Sequence, residues 1–340
     1  MTPLMSPPHP ARPHLDAVGM DRQWAELTAA LSRRGFLGAI ALGATALTVG
    51  CGTSSGSNTA SAATRTVTTP LGTYDIPVAP QRVIAVDSRL DLEPAVALGL
   101  PLIGYNHSRA RPWVPVDPTV PYLGEKPNLE EILGLDPDLI ICCNAGTDWW
   151  PTDRLQEIAP VLTTDFGVDW RENFAGLATW LGATDLLAKV NAEYTALIEE
   201  IATRHRAQTS STTVASISYL PGERMVYVTS TQNQGKGLLP TEATLTEIGG
   251  RSPSRSLFSD AENGLSLEQL DLIADCDGFM ITGSREEYDA LMSETLWSRL
   301  PAVQAGHVTL LEGETYYGSV YTVPIVARGW DALYTRMAAA

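Results

Sequence analysis

The chain has 340 residues, with 23 Lys and Arg against 39 Asp and Glu, four cysteines and a formal net charge of −16. That length accommodates two ordinary domains, and 44% hydrophobic against 18% charged residues excludes wholesale disorder. The acidity argues against binding a nucleic-acid backbone or a polybasic attachment to a membrane surface, the cysteines are too few for a disulfide scaffold, and no apolar run is long enough to span a bilayer.

The first elements are addresses. Residues 1–30 are rich in Pro and His and carry no sustained apolar face. Ser32-Arg33-Arg34-Gly35-Phe36-Leu37 then precedes an apolar stretch from Ala39 to Val49, which reads as a twin-arginine export signal. The stretch ends Leu47-Thr48-Val49-Gly50-Cys51, a small residue before a cysteine, as at a lipoprotein cleavage site, although Thr48 stands where a large aliphatic residue is usual. Residues 1–50 are therefore expected to be a signal peptide, with Cys51 lipidated and holding the protein on the outer side of the cell membrane. An ordinary exposed thiol at Cys51 is the alternative, and in an exported protein it would be a liability unless capped. Residues 52–64 form a small polar tract that can bury nothing, so 51–79 reads as a tether and N-terminal extension.

From residue 80 the pattern is strand, loop, helix, repeated. Strands are expected at 82–87, 101–106, 138–144 and 161–166, with helices at 92–98 and 128–135. Strands separated by helices imply crossover connections and a mainly parallel, helix-covered sheet, hence an α/β lobe over 80–183. Adjacent Cys142 and Cys143 point to opposite faces of a strand and do not bridge each other; with Cys276 they are expected to be core thiols on strands. Leu187, Val190, Tyr194, Leu197 and Ile201 recur at helical spacing and predict one long helix over 184–207. A second α/β lobe follows over 208–340, with strands at 212–220, 224–230, 277–284 and 307–313 and helices at 240–248, 266–274 and 288–292. One similarity links the halves. Asn128-Leu129-Glu130-Glu131 and Ser266-Leu267-Glu268-Gln269 each open with a capping residue and place Glu131 or Gln269 three positions later, as in a capping box. This leaves Glu130 and Glu268 on the outside of the first turn.

The segments RVIAVDSRLDLEPAVALGLPLIGY, NLEEILGLDPDLIICC, LSLEQLDLIADCDGFMIT and LPAVQAGHVTLLEG, in this order behind a lipoprotein-like signal, resemble bacterial binding proteins for ferric siderophores, cobalamin and haem that serve ATP-driven importers. The resemblance covers about residues 80–335. It implies two Rossmann-like lobes joined by a single long backbone helix, with ligand held between them by a monomer. It also implies that Glu130 and Glu268 dock onto arginines of the ABC importer permease; the plainer reading of each is a carboxylate favoured near a helix N-terminus.

In an α/β lobe, ligands meet the loops beyond the carboxyl ends of the strands. Those loops bring Arg89, Tyr105, Arg109, Arg111, Trp113, Trp149 and Trp150 from the first lobe, and Tyr219, Arg224, Arg285 and Tyr317 from the second. Guanidinium forks suit the oxygen face of an anionic ferric siderophore, and aromatic rings suit its organic scaffold. The iron would be held by the siderophore alone, so neither a protein cofactor nor a protein metal site is expected. Arg109, Arg111 and Trp113, together in one loop, are the leading candidates. Trp149 and Trp150 could instead belong to the lobe core. Cobalamin and haem stay open as ligands. A metal-ion receptor would need converging His, Asp or Glu ligands, for which His107, Asp87 and Glu312 are the nearest material. The zinc-protease helix and the phosphate-binding loop are absent from the sequence, which argues against an enzyme.

Overall fold

The computed structural model describes residues 63–229, 239–254, 257, 264–315 and 317–339. The expected signal peptide and Cys51, and with them Gln232, Asn233, Gln234, Lys236 and Tyr316, lie outside the described residues.

Strands β1 (Thr64–Thr69) and β2 (Gly72–Pro77) form an antiparallel hairpin. Alternation buries Val67 and Ile76 in the core of the first lobe, and the Tyr74 hydroxyl donates to the carbonyl of Val161. The expectation of a tether and extension over 51–79 is corrected here, because residues 64–77 are folded onto the first lobe. These strands are Thr-rich and half-exposed, so their apolar alternation is faint in the sequence.

The first lobe is a four-stranded parallel sheet in the order β4-β3-β5-β6, formed by β3 (Val83–Ala85), β4 (Leu102–Tyr105), β5 (Leu139–Cys143) and β6 (Val161–Thr164). The two central strands are covered on both faces, which is why they read as unbroken apolar runs. Helices α1 (Leu92–Ala97), α2 (Leu129–Gly134), α3 (Thr152–Leu155) and α4 (Trp170–Leu181) provide the cover. Cys142 and Cys143 are free and buried on β5, and burial pushes both thiols well up, so neither is a nucleophile.

Helix α5 (Thr184–Arg204) leaves this lobe and runs into the short α6 (Arg206–Ser211). Its buried stripe is Tyr194, Ile198 and Ile201, with Val190 and Leu197 packed alongside. The second lobe carries β7 (Val214–Leu220), β8 (Met225–Val228), β9 (Leu265–Ser266), β10 (Gly278–Gly283) and β11 (Val308–Glu312), in the order β11-β10-β7-β8-β9. The β7, β10 and β11 strands are parallel, whereas β8 and β9 add antiparallel, so this sheet is mixed. Its helices are α7 (Pro240–Glu247), α8 (Arg285–Ser293), α9 (Pro301–Gln304) and α10 (Thr322–Ala339). The segment Leu267–Ile273 is a 3-10 helix rather than the expected α-helix. Cys276 is buried in the turn before β10 and not on a strand, and burial pushes its thiol up to about 12.

Helix α10 buries Val323, Val326, Ala327, Trp330, Leu333 and Tyr334 at spacings of three and four. These residues share one core with the buried stripe of α5, so the linking helix is packed against the second lobe from Val190 onward.

Candidate ligand-binding cleft

The floor of the first lobe is built from the segment that leaves β3. The Asp87 carboxylate accepts from the Arg89 backbone N–H at 2.7 Å, from Arg89 Nη2 at 2.9 Å and from Trp150 Nε1 at 3.1 Å. Burial pushes this carboxyl up, but the hydrogen bonds and charge of Arg89 outweigh it and hold Asp87 below the usual carboxylate range. Asp91 lies beneath it and is fully buried. It accepts from the backbone N–H groups of Asp87 at 2.8 Å and Cys143 at 3.1 Å, and is hydrogen-bonded to Thr164 Oγ1 at 2.6 Å. Burial, and then the charge of Asp87, raise Asp91 to about 8, so it is a neutral acid at physiological pH. One ionised and one protonated carboxyl thus set the ends of β3, β5 and β6 relative to one another.

A chain of rings rises from this floor. His107, held at φ +81°, lies 5.7 Å from Trp149 and 5.8 Å from Trp150 between ring centroids. Trp150 meets Phe166 edge-on at 4.9 Å, and Phe166 meets Tyr317 of the second lobe at 5.0 Å. The Arg89 guanidinium lies over both Phe166 and Tyr317, at 5.6 and 5.0 Å.

Beside it the lobes are joined by a buried carboxylate. Glu93, at the start of α1, accepts from Arg111 Nη1 at 2.9 Å, from the Ser319 N–H at 2.9 Å and from the Tyr321 and Thr322 N–H groups at 3.0 Å. The Thr322 hydroxyl donates to the same carboxylate and accepts from Trp113 Nε1 at 2.9 Å. A first-lobe carboxylate thereby satisfies the open N–H groups around the start of α10, which lies in the second lobe. Trp113 reaches further, onto Gly313. A Cβ at that glycine would sit 2.6 Å from the indole ring, so the close approach of the lobes requires glycine there.

These contacts border a cavity of about 780 Å³. Pro112 and Trp113 line it from the first lobe, and Ser218–Leu220, Thr282–Ser284 and Glu312–Thr315 from the second. The loop around Trp113 and the end of β7 therefore share one hollow.

Of the residues expected at the site, Trp113 and Tyr219 line the cavity, although the Tyr219 hydroxyl is turned to Glu294 at 2.9 Å. Arg89, Trp149, Trp150 and Tyr317 form the ring-and-cation wall. Trp150 also packs on the lobe core. Arg109 is exposed, 5.1 Å over the Tyr122 ring. Tyr105 is buried and its hydroxyl accepts from the Ala110 N–H at 3.3 Å, which makes it a brace for the loop rather than a cleft residue. Arg224, in the turn after β7, is paired with Glu294 at 3.0 Å, and Arg285 is exposed over Tyr288; neither lines the cavity.

The expectation of free guanidinium forks is corrected for two residues. Arg89 is matched by Asp87 and Arg111 by Glu93, both pairs buried. Both carboxylates belong to the same lobe as the cations they face, Asp87 just after β3 and Glu93 in α1. Phe166 and Glu93 escaped the sequence-based expectation. Phe166 lies two residues beyond the end of β6, a position the strand-end rule does identify, whereas the backbone partners of Glu93 lie more than two hundred residues away in sequence.

The family model for periplasmic binding proteins matches residues 29–315. A protein named as a probable siderophore-binding lipoprotein, YfiY of Bacillus subtilis, is 27% identical over 282 residues, covering 75% of this chain and 82% of that one. The iron-uptake system-binding protein of the same organism is 26% identical over 197 residues, covering 54% of this chain and 59% of its own length. Among solved structures, the triscatecholate siderophore-binding protein FeuA from Bacillus subtilis, complexed with ferri-bacillibactin, superimposes with a TM-score of 0.63 at 20% identity over 80% of this chain and 98% of that one. The siderophore-binding protein BauB, bound to ferric iron and acinetobactin, gives a TM-score of 0.62 at 18% identity, over 80% and 99% of the two chains. The two-lobed architecture with one long joining helix is the fold these structures share.

Proposed function

Since the chain belongs to the periplasmic binding protein family, we propose that it captures a ferric siderophore between its lobes and delivers it to the permease of an ABC importer. The observation that carries this reading is the cavity of about 780 Å³ that Pro112 and Trp113 of the first lobe share with the strand ends of the second, in a chain whose lobes also meet through the rings of Phe166 and Tyr317. That volume suits a ligand of siderophore size, and the rings give the chelator apolar surfaces to pack on. Iron is cargo here, held by its chelator. Nothing described favours direct metal capture: among the described residues no group of three or more His, Cys, Asp or Glu is arranged to hold an ion. The curated relative YfiY is called a lipoprotein. This supports reading Cys51 as a lipid attachment site behind a twin-arginine signal, with the protein acting as a non-enzymatic carrier on the outer side of the cell membrane.

The test is a titration of the purified chain with ferric siderophores, haemin and cyanocobalamin, followed through tryptophan fluorescence. Saturable quenching by at least one ferric siderophore at submicromolar concentration is the expected result. Quenching by haemin or cyanocobalamin alone would move the function to that ligand class.

A further inference from the structure

The charge of the cavity narrows the class of ligand. Among its described lining residues there is no lysine, arginine or histidine, but there are three carboxylates, Glu287, Glu312 and Glu314. Glu287 uses one oxygen to accept from the Ser284 N–H at 2.7 Å, while Glu312 and Glu314 are exposed at the end of β11 and just beyond it. Two guanidinium groups of the first lobe supply no surplus positive charge. Arg89 is neutralised by Asp87, and Arg111 by Glu93, with Glu314 a further 3.7 Å from Arg111 Nη2. The rest of the second-lobe wall offers hydroxyls, among them Ser218, Thr282 and Thr315.

We propose that the ligand is a ferric chelate without net negative charge, of the hydroxamate type, and that Glu312 and Glu314 select for it. The proposal rests on the receptor reading above. Three hydroxamates each lose one proton and together cancel the ferric charge. Three catecholates each lose two and leave a trianion. A trianion in this cavity would be desolvated against like charges with no facing cation among the described lining residues, whereas a neutral or cationic chelate meets hydroxyl donors for its oxygens and carboxylates for any ammonium group it carries. Selection here works by repulsion of the wrong class as much as by attraction of the right one.

The experiment compares ferrichrome, a neutral trihydroxamate, ferrioxamine B, a cationic one, and ferric enterobactin, a trianionic tricatecholate, on the wild-type chain and on the Glu312→Gln/Glu314→Gln variant. Both glutamates are exposed, and glutamine keeps their shape. Circular dichroism of the variant checks that it is folded. The wild type should bind both hydroxamates and bind ferric enterobactin about a hundredfold more weakly or not at all. The variant should lose about tenfold in affinity for ferrioxamine B and stay within about twofold for ferrichrome. Tight binding of ferric enterobactin by the wild type would overturn the charge selection and leave the receptor reading standing. So would an equal loss of both hydroxamates in the variant. Failure of every ferric chelate to bind would overturn both.

Discussion

Asp87 and Asp91 are four residues apart on one bend, yet their environments drive them in opposite directions. Asp91 is buried as a neutral acid, so between the ordinary Asp value of about 4 and its own value near 8 the folded chain binds a proton that the unfolded chain has released. Its contribution to stability is full below about pH 4 and falls as the pH rises through that window. Asp87 behaves conversely. Its depressed value gives a contribution present above about pH 4 and lost as the pH falls through the folded-state value. We expect Asp91→Asn to keep the network, since its amide can donate to Thr164 while its oxygen accepts from the Asp87 and Cys143 N–H groups. Thermal melts between about pH 5 and 8 should then show a flatter decline for the variant than for the wild type. Equal slopes would mean that another group titrates.

At the scale of elements, the alternation of apolar runs and helical stripes was enough to place the first-lobe sheet, helix α5 and the three parallel strands of the second lobe. Several elements escaped, helices α3, α4 and α9 and strand β9 among them. The β1–β2 hairpin is Thr-rich and exposes one face, so it contrasts weakly with the polar tract before it. Helix α10 has a clear stripe from Val323 to Tyr334 but lies beyond the last punctuated strand. The site was half legible: strand ends located the loops, Trp113 and the ring wall, while the pairing of Arg111 with Glu93 depends on tertiary contact. The two matched segments after Asn128 and Ser266 carry a prediction of their own. Asn128 Oδ1 accepts from the Glu130 and Glu131 N–H groups, and Gln269 accepts from the Ser266 N–H at 3.0 Å. The Glu130 and Glu268 side chains are exposed and take no part in these caps. The Glu130→Ala/Glu268→Ala variant should bind ligand as the wild type does and lose no more than about 1 kcal/mol of stability per site. It should fail to support ferric-siderophore uptake or to stimulate ATP hydrolysis by the importer. Undiminished uptake would exclude these glutamates as the docking pair.

For the molecule as a whole, three ties hold the lobes beside the ring contact of Phe166 with Tyr317 and the seat of Trp113 on Gly313. Helix α5 is one. The Glu93 carboxylate bound to Ser319, Tyr321 and Thr322 is the second. The third is Glu247 of α7, which pairs with Arg171 of α4 at 2.7 Å and accepts from the Tyr194 hydroxyl on α5. A hinge so pinned permits small adjustments only. Small-angle scattering with and without ferric ligand should give nearly the same radius of gyration, and a pronounced compaction would show that the ties open. Glu93→Ala, which strands the buried Arg111, should cost about 3–5 kcal/mol in denaturant unfolding. The same tie bears on how the chain is made. When the first lobe leaves the ribosome, Glu93 and Arg111 have each other but none of the amide groups that complete their shell, because those lie more than two hundred residues further along the chain. The nascent lobe therefore stays incomplete until residues 319–322 have been made, and a chain interrupted before Ser319 should be a substrate for proteases rather than a free-standing half.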